Sequence, residues 1–379
     1  MPAPLVAVIG GGGFYGRYLV ADLLRFTDAE ILIISRHPPP TSPRARAVAC
    51  DLRDLPALTR ALAGCAVVAH CAGPFDQLPL NPLRAALAVN AAYVDLAEDR
   101  AFYQAVQTLL ATHPAPRPVL SGLSVCPSME ALLAELLRPL LDTFTASRTF
   151  AAPDTRKHRG PAMFYTMLTG VGRAFWQPGG AGLRQVWGWT EPEWINFPPP
   201  VGRRLTHLVL EMADLDLLPA LFGMTTVEFK AGTEWVVLNR LLNLAAILRK
   251  TLGFPKWETL TPLVRGFSWL MGRMGKDEGG VIFAISGTRG GQPRAYQIAV
   301  MAQRDGGFIP SVLASLAVQR LLTGAISTAG LIPVHQWIAP EALLAELAAR
   351  GLELWWQPPD VPTWQPFSVE IYQHHRGSG

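Results

Sequence analysis

Leu5-Val6-Ala7-Val8-Ile9-Gly10-Gly11-Gly12-Gly13-Phe14-Tyr15-Gly16 decides how this chain is read. Five apolar residues in an unbroken run fit a strand buried on both faces, as in a parallel sheet. The glycines turn the chain, and segment 14–26 then has helical periodicity. Gly11, Gly13 and Gly16 make the spacing G-x-G-x-x-G. In such a turn one glycine permits the tight bend, one lets the backbone approach a pyrophosphate, and one lets helix pack closely on strand. Backbone amides at the helix start, around Phe14 and Tyr15, would face the anion with the helix dipole behind them. Gly10, Gly13 and Gly16 also fit G-x-x-G-x-x-G, so two registers stand. That second spacing usually accompanies a Tyr-x-x-x-Lys pair. None of the seven tyrosines has a lysine four residues on, so hydride chemistry of that form is not encoded.

Working outward, the first 140 residues alternate. Apolar runs at 30–34, 46–50, 66–71, 92–96 and 118–121 read as further strands. Segments 54–63, 81–90 and 99–112 read as helices between them. The crossover 35–45 reads as a loop, because Pro38, Pro39, Pro40 and Pro43 forbid a regular helix. Strand–helix alternation of this kind predicts an α/β, doubly wound Rossmann domain.

The second strand ends Ile33-Ile34-Ser35-Arg36 with no acid where an NAD site places one for the ribose 2′-hydroxyl. Ser35 and Arg36 suit a 2′-phosphate instead, through a hydroxyl and a permanently charged planar fork. NADP is therefore the expected cofactor, with NAD as the alternative. Asp51 and Leu52, after the third strand, are placed for the adenine edge. Ligands of doubly wound sheets lie outside the carboxyl ends of the strands. Cys71-Ala72-Gly73-Pro74 ends the fourth strand there, as a small-residue turn open to the cofactor. Asp95, Glu98 and Asp99 follow the fifth strand, and Asp76 follows the fourth. These four acids are the candidate proton donors and acceptors for hydride chemistry. Glu98 and Asp99 also fit a plain helix-start role.

Taken as a set, these motifs resemble the saccharopine dehydrogenase-like oxidoreductases. The resemblance rests on the Gly11/Gly13/Gly16 turn, Cys71-Ala72-Gly73-Pro74-Phe75, Tyr93-Val94-Asp95-Leu96 and Ser121-Gly122-Leu123-Ser124 before a Pro-started helix. The late Gly324…Gly330 stretch with Pro340-Glu341 adds to it. It is good over 5–140, fair over 306–352 and weak between. It implies NAD(P)(H)-dependent redox at a C–N bond or related small-molecule centre, with the middle domain supplying the substrate pocket. The chain departs from the family at Pro79, Ala86, Asn90, Ala92 and Ala97-Glu98-Asp99, so the cofactor side is better kept than the substrate side.

Beyond residue 145 the pattern changes. A second, α+β domain for substrate and dimerisation is expected over 141–305, after the Rossmann domain at 1–140. Strands are expected at 225–229, 281–286 and 296–303, and helix over 235–274 broken at Gly253-Phe254-Pro255. Residues 306–379 are expected to supply helices, at 309–323 and 340–350, that pack back on the first domain, followed by a loose tail. Lys157-His158-Arg159 and Arg203-Arg204 are the densest basic spots, and His207 and His335 stand beside apolar stretches read as helical.

Composition sets limits. Of 379 residues, 50% are hydrophobic and 16% charged, which excludes global disorder. Basic and acidic residues number 33 and 29, a mild bias without a basic cluster, so no nucleic-acid partner is expected. The four cysteines form no C-x-x-C pair, which excludes a zinc ribbon and points to reduced thiols and a cytoplasmic setting. No secretory leader is expected, because Leu5–Ile9 is too short for its apolar core. No metal site and no membrane span are expected. A mean hydropathy of +0.22 and eleven tryptophans make the second half very apolar. Core and a homodimer interface are the default account. A hydrophobic substrate and peripheral contact with a lipid surface are the sharper ones. Two other classes stand beside the enzyme: a non-catalytic dinucleotide-binding sensor or assembly protein, and a membrane-surface protein of the same fold.

Overall fold

The computed structural model describes residues 3–156, 161–180, 182–253 and 273–377. They form two compact units, 1–129 with 310–337, and 130–309 with 338–379.

The first unit is built on a parallel sheet of seven strands in the order β15-β6-β5-β4-β1-β2-β3. The strands are β1 (Leu5–Ile9), β2 (Glu30–Ser35), β3 (Ala45–Ala49), β4 (Val67–His70), β5 (Ala92–Asp95), β6 (Pro118–Leu120) and β15 (Gly330–Leu331). β1 and β2 pair from Leu5 against Glu30 to Ile9 against Ile34. Val6–Ile9 and Ile31–Ile34 are buried, because helices cover both faces and every side chain of these runs finds apolar neighbours. Burying each such Ile or Leu contributes roughly 1.5–3 kcal/mol. Strand order reverses between β1 and β4, which is the switch point where ligands of such sheets bind.

The crossover helices are α1 (Phe14–Phe26), α2 (Leu55–Ala61), α3 (Asn81–Ala88) and α4 (Arg100–Thr112). α1 buries Gly16, Leu19, Val20 and Leu23, one helical stripe, against the sheet. Asp54 caps α2, its side chain accepting from the Ala57 amide at 2.9 Å. Asn90 takes a left-handed φ of 57° after α3, as its sequence position suggests. The helix Val312–Leu322 returns to this unit. It buries Val312, Leu313, Leu316, Ala317 and Val318, and its Ser315 hydroxyl donates to the buried Asp22 of α1 at 2.6 Å.

The second unit carries an eight-stranded mixed sheet in the order β10-β11-β12-β7-β13-β14-β16-β17. These are β7 (Thr143–Ala152), β10 (Glu193–Asn196), β11 (Arg203–Leu208), β12 (Thr226–Ala231), β13 (Gly279–Arg289), β14 (Gln292–Ala302), β16 (Glu353–Gln357) and β17 (Gln365–Pro366); β8 (Ala174–Pro178) and β9 (Leu183–Trp187) make a separate hairpin. Its helices include α5 (Glu130–Leu137), α6 (Pro161–Gly170), α7 (Asp214–Phe222) and α8 (Val236–Leu252). β13 and β14 run beyond their apolar cores, because Gly290 and Gly291, at φ 55° and 75°, close a two-residue hairpin that zips the flanking polar residues together.

Three expectations are corrected here. The helix at 340–350 forms as Pro340–Ala349 but belongs to the second unit, where its buried Leu343, Leu344 and Leu347 pack with α5 and β16. His207 stands on strand β11 rather than in a helical stretch, because Arg203–Leu208 pairs with its neighbours on both sides. Strands β7 to β11 occupy parts of 143–208 where no strand was expected, since pairing with neighbouring strands rather than local pattern decides them. The expected helix beyond Gly253 and the basic run Lys157-His158-Arg159 lie outside the described residues. Among the described residues all four cysteines are free thiols, and no helix is long and apolar enough to cross a membrane.

Candidate functional site

The glycine turn is tight at its two ends. Gly10 has φ +80°, and its amide donates to the Ile34 carbonyl at 2.7 Å. A Cβ there would lie 2.7 Å from the Ala72 nitrogen. A Cβ on Gly16 would overlap the Gly10 carbonyl oxygen, and one on Gly11 would press on Ile33 at 3.0 Å. Gly13 donates to the Gly10 carbonyl at 2.8 Å and stands at the N-cap of α1, with no side chain to cap the helix. The first amides of a helix have no acceptor within it. Backbone alone therefore forms the floor of the turn, and an anion is its natural complement. Both glycine registers are used: Gly10 and Gly16 meet the hardest steric limits, and Gly11 and Gly13 line the bend between them. Gly10 was missed as a site residue, although the four-glycine run already pointed to it. Phe14 stacks edge-on with Tyr15 and Tyr18, and the Arg17 guanidinium lies 5.0 Å above its ring.

Ser35 ends β2 and Arg36 follows it beside this turn, since Ile34 already bonds Gly10. Ser35 is half-buried and its hydroxyl accepts from the His37 amide at 3.4 Å; Arg36 is exposed. Asp51 is exposed, with Oδ1 accepting from the Arg53 amide at 2.9 Å. The Leu52 carbonyl accepts from Asn81 Nδ2 at 3.2 Å, and its side chain packs on the sheet core.

Cys71 donates its amide to Ile9 at 2.8 Å, which ties the β4 end to the β1 end. Its thiol is buried and pushed far above the usual range by burial and the nearby Asp95. Gly73-Pro74 is a cis peptide. Only a distant atom, 3.9 Å away, would meet a Cβ on Gly73, so the fold itself does not demand glycine there.

The acids divide sharply. Asp95, at the end of β5, is fully buried. Oδ1 accepts from the amides of Ala97 at 3.0 Å and Gly122 at 2.9 Å, and Oδ2 accepts from the Ser121 hydroxyl at 2.8 Å. Tyr93 also donates to it. Burial raises its affinity for a proton, and those four donors oppose the rise. The Tyr93 hydroxyl lies 3.0 Å from Nδ1 of the buried His70, whose ring rests against Phe75 and Phe102. Burial pushes the His70 imidazole down to about 3, so it is neutral. Asp95 thus clasps the ends of β5 and β6, and Tyr93 carries the link on to His70 of β4.

Asp99 caps α4, its Oδ1 accepting from the Phe102 amide at 2.7 Å, so its helix-start role is the one the geometry shows. Asp76 lies in the single turn Phe75–Gln77. Glu98 differs from the others. Its Oε1 accepts from the Ser124 hydroxyl at 2.5 Å, and the Cys126 amide also donates to its carboxylate. Burial pushes it up to about 7, against those two donors. Ser121 and Ser124 were not among the expected site residues, although both stood in the quoted Ser121-Gly122-Leu123-Ser124 motif. In the second unit, burial and then Lys230 push His207 down to about 4, and Arg203 stacks 4.5 Å above the Trp194 ring.

Residues 6–117 match the family model described as the saccharopine dehydrogenase NADP binding domain. Apo saccharopine dehydrogenase (L-Glu forming) from Saccharomyces cerevisiae shares the fold with a TM-score of 0.61 at 14% identity, over 94% of this chain and 100% of that one. DAP dehydrogenase of C. glutamicum in complex with DAP gives a TM-score of 0.45 at 16% identity, over 92% and 99%. An engineered D-amino acid dehydrogenase bound to NADP+ gives 0.46 at 17%, over 92% and 99%. No curated protein matches the chain in sequence. The glycine floor, the acid-free end of β2 and Arg36 fit the NADP that the domain model specifies. This chain therefore carries a saccharopine dehydrogenase-type NADP-binding domain and has the fold of saccharopine dehydrogenase, as its motifs led us to expect.

Proposed function

We propose that the protein is an NADP(H)-dependent oxidoreductase acting at a C–N or related centre of a small molecule. The observation that carries this reading is the side-chain-free floor at Gly10, Gly11, Gly13 and Gly16, set at the sheet's switch point beside Ser35 and Arg36. The fold shared with saccharopine dehydrogenase supports the C–N centre. Bound NADP(H) supplies the hydride acceptor or donor. The glycine turn holds the pyrophosphate through backbone amides, and Arg36 with Ser35 holds the 2′-phosphate. Asp51 and Leu52 border the adenine, and Cys71-Ala72-Gly73-Pro74 leaves backbone-only space at the β4 end.

Oxidation of a C–N bond releases one proton with each hydride. Glu98 takes it at a carboxylate whose affinity for protons sits near neutrality, where a general base is most effective. The Ser124 hydroxyl, hydrogen-bonded to that carboxylate, orients it. Asp95 positions the loops that carry both. The test is a titration with NADPH and NADH, followed by a panel of small amino compounds read at the nicotinamide absorbance. NADPH binding with turnover that falls in Glu98→Gln supports the reading. NADPH binding with no turnover across the panel favours a sensor instead, and loss of both overturns the assignment.

A further inference from the structure

α8 holds its inner face with polar ties as well as apolar packing, and turns a strip of large apolar side chains outward. Asn239 is fully buried, and its Nδ2 donates to the carbonyls of Leu205 at 3.1 Å and Thr233 at 2.8 Å. Asn243 donates to the Trp189 carbonyl at 2.7 Å, and Arg249 to the Val171 carbonyl at 2.8 Å. Between these polar ties Leu242 and Ala246 pack on Val171, Trp189 and Val209. The opposite face carries Val237, Leu241, Leu244, Ile247, Leu248 and Leu252, exposed by between 36% (Leu248) and 71% (Val237). A helix that merely covers a core turns its leucines inward and its asparagines to water. This one ties Asn239 and Asn243 inward and also turns six large apolar side chains outward along 17 residues, about 25 Å of helix.

Charge decides what covers this face. α8 contains no acidic residue, and the charges exposed on it are Arg240 and Lys250. Lys250 keeps its ammonium over the Trp187 ring at 3.7 Å. A second copy paired through α8 would set these cations along one seam with no acid to meet them. An anionic lipid surface supplies both complements at once: acyl chains for the leucines and headgroup charge for the exposed cations Arg240 and Lys250. Trp176 and Leu183 are exposed on the β8–β9 hairpin that Lys250 touches through Trp187, and tryptophan is suited to a boundary between apolar and wet phases.

We propose that α8 is an in-plane docking helix for anionic lipid surfaces. It lies flat with Val237, Leu241, Leu244, Leu248 and Leu252 in the headgroup–acyl boundary. This stands independently of the dinucleotide site.

Flotation of the full chain with vesicles tests it, using phosphatidylcholine alone and phosphatidylcholine with roughly 30% phosphatidylserine. The protein is expected to float with the mixed vesicles and to partition at least about tenfold less onto phosphatidylcholine. Leu241→Glu with Leu244→Glu is expected to abolish flotation while NADPH binding stays at the wild-type value. Arg240→Gln with Lys250→Gln, which leaves the apolar strip intact, is expected to weaken partition by about tenfold. The proposal is overturned if wild type does not float with the mixed vesicles, or if both double variants float as wild type does. It is also overturned by a wild-type dimer in solution that Leu241→Glu with Leu244→Glu splits, which would make a second copy the occupant.

Discussion

Gly10 lies against Ala72 so closely that any Cβ on it would sit 2.7 Å from the Ala72 nitrogen. The contact joins the ends of β1 and β4, the two strands between which the sheet reverses its order. Gly10→Ala adds this clash to a φ of +80° that alanine resists. A loss of about 2–4 kcal/mol in denaturant unfolding is expected, together with loss of NADPH binding. Gly73→Ala, with open space at its Cβ, is expected to leave stability within about 0.5 kcal/mol. Equal effects at the two glycines would refute the steric account.

Arg36 is the cation beside the turn at the end of β2. Arg36→Ala is expected to weaken NADPH by about ten- to a hundredfold, the worth of charge-assisted hydrogen bonds to a phosphate. NADH affinity should not change. Isothermal titration with both nucleotides checks it, and an equal loss for both would remove the 2′-phosphate role.

Glu98 sets a pH dependence of definite sign. Its carboxyl titrates near 7 in the folded protein against an ordinary 4.5. The folded state holds this proton more tightly than the unfolded chain does. The stability that this provides is complete below about 4.5 and is lost as pH rises through 7. Glu98→Gln is therefore expected to gain roughly 1–2 kcal/mol relative to wild type at pH 8, and nothing of this origin at pH 4. The rate of amine oxidation in wild type should rise with pH around 7, and the variant should lack that limb. A stability gap that does not change with pH would contradict the burial of this carboxyl.

Asp95 separates a clasp from a catalyst. Asp95→Ala leaves the buried amides of Ala97 and Gly122 without an acceptor, at a cost of about 3–5 kcal/mol. Asp95→Asn keeps an oxygen for those amides, and its NH2 can face the rotatable Ser121 and Tyr93 hydroxyls, so about 1–2 kcal/mol is expected. Thermal unfolding of the two variants checks the order. A stable Asp95→Ala protein without turnover would return Asp95 to the chemistry.

The first unit was legible because its signals are local. Leu5–Ile9 and Glu30–Ser35 are continuous apolar runs, proline-rich 35–45 cannot be helix, and Phe14–Phe26 begins where the glycines end. Gly11, Gly13 and Gly16 pointed to the proposed anion site, and the acid-free end of β2 pointed to NADP, which the matching domain model also names. The second unit was legible only in part. Arg203–Leu208 and Glu193–Asn196 are strands because each finds the other across the sheet, and neither shows a period that announces it.

What the sequence by itself determined is the backbone of the cofactor floor, since glycine at a fixed spacing after a buried strand has few other conformations open to it. Tertiary structure alone decided the roles of the acids. Asp95, Glu98 and Asp99 are neighbours in the chain with the same functional group. One is walled in by four donors, one is half-buried beside Ser124 with its proton affinity raised, and one caps a helix. A carboxyl's proton affinity depends on what surrounds it in space, and that surrounding comes from segments up to 28 residues away in sequence, as Cys126 is from Glu98.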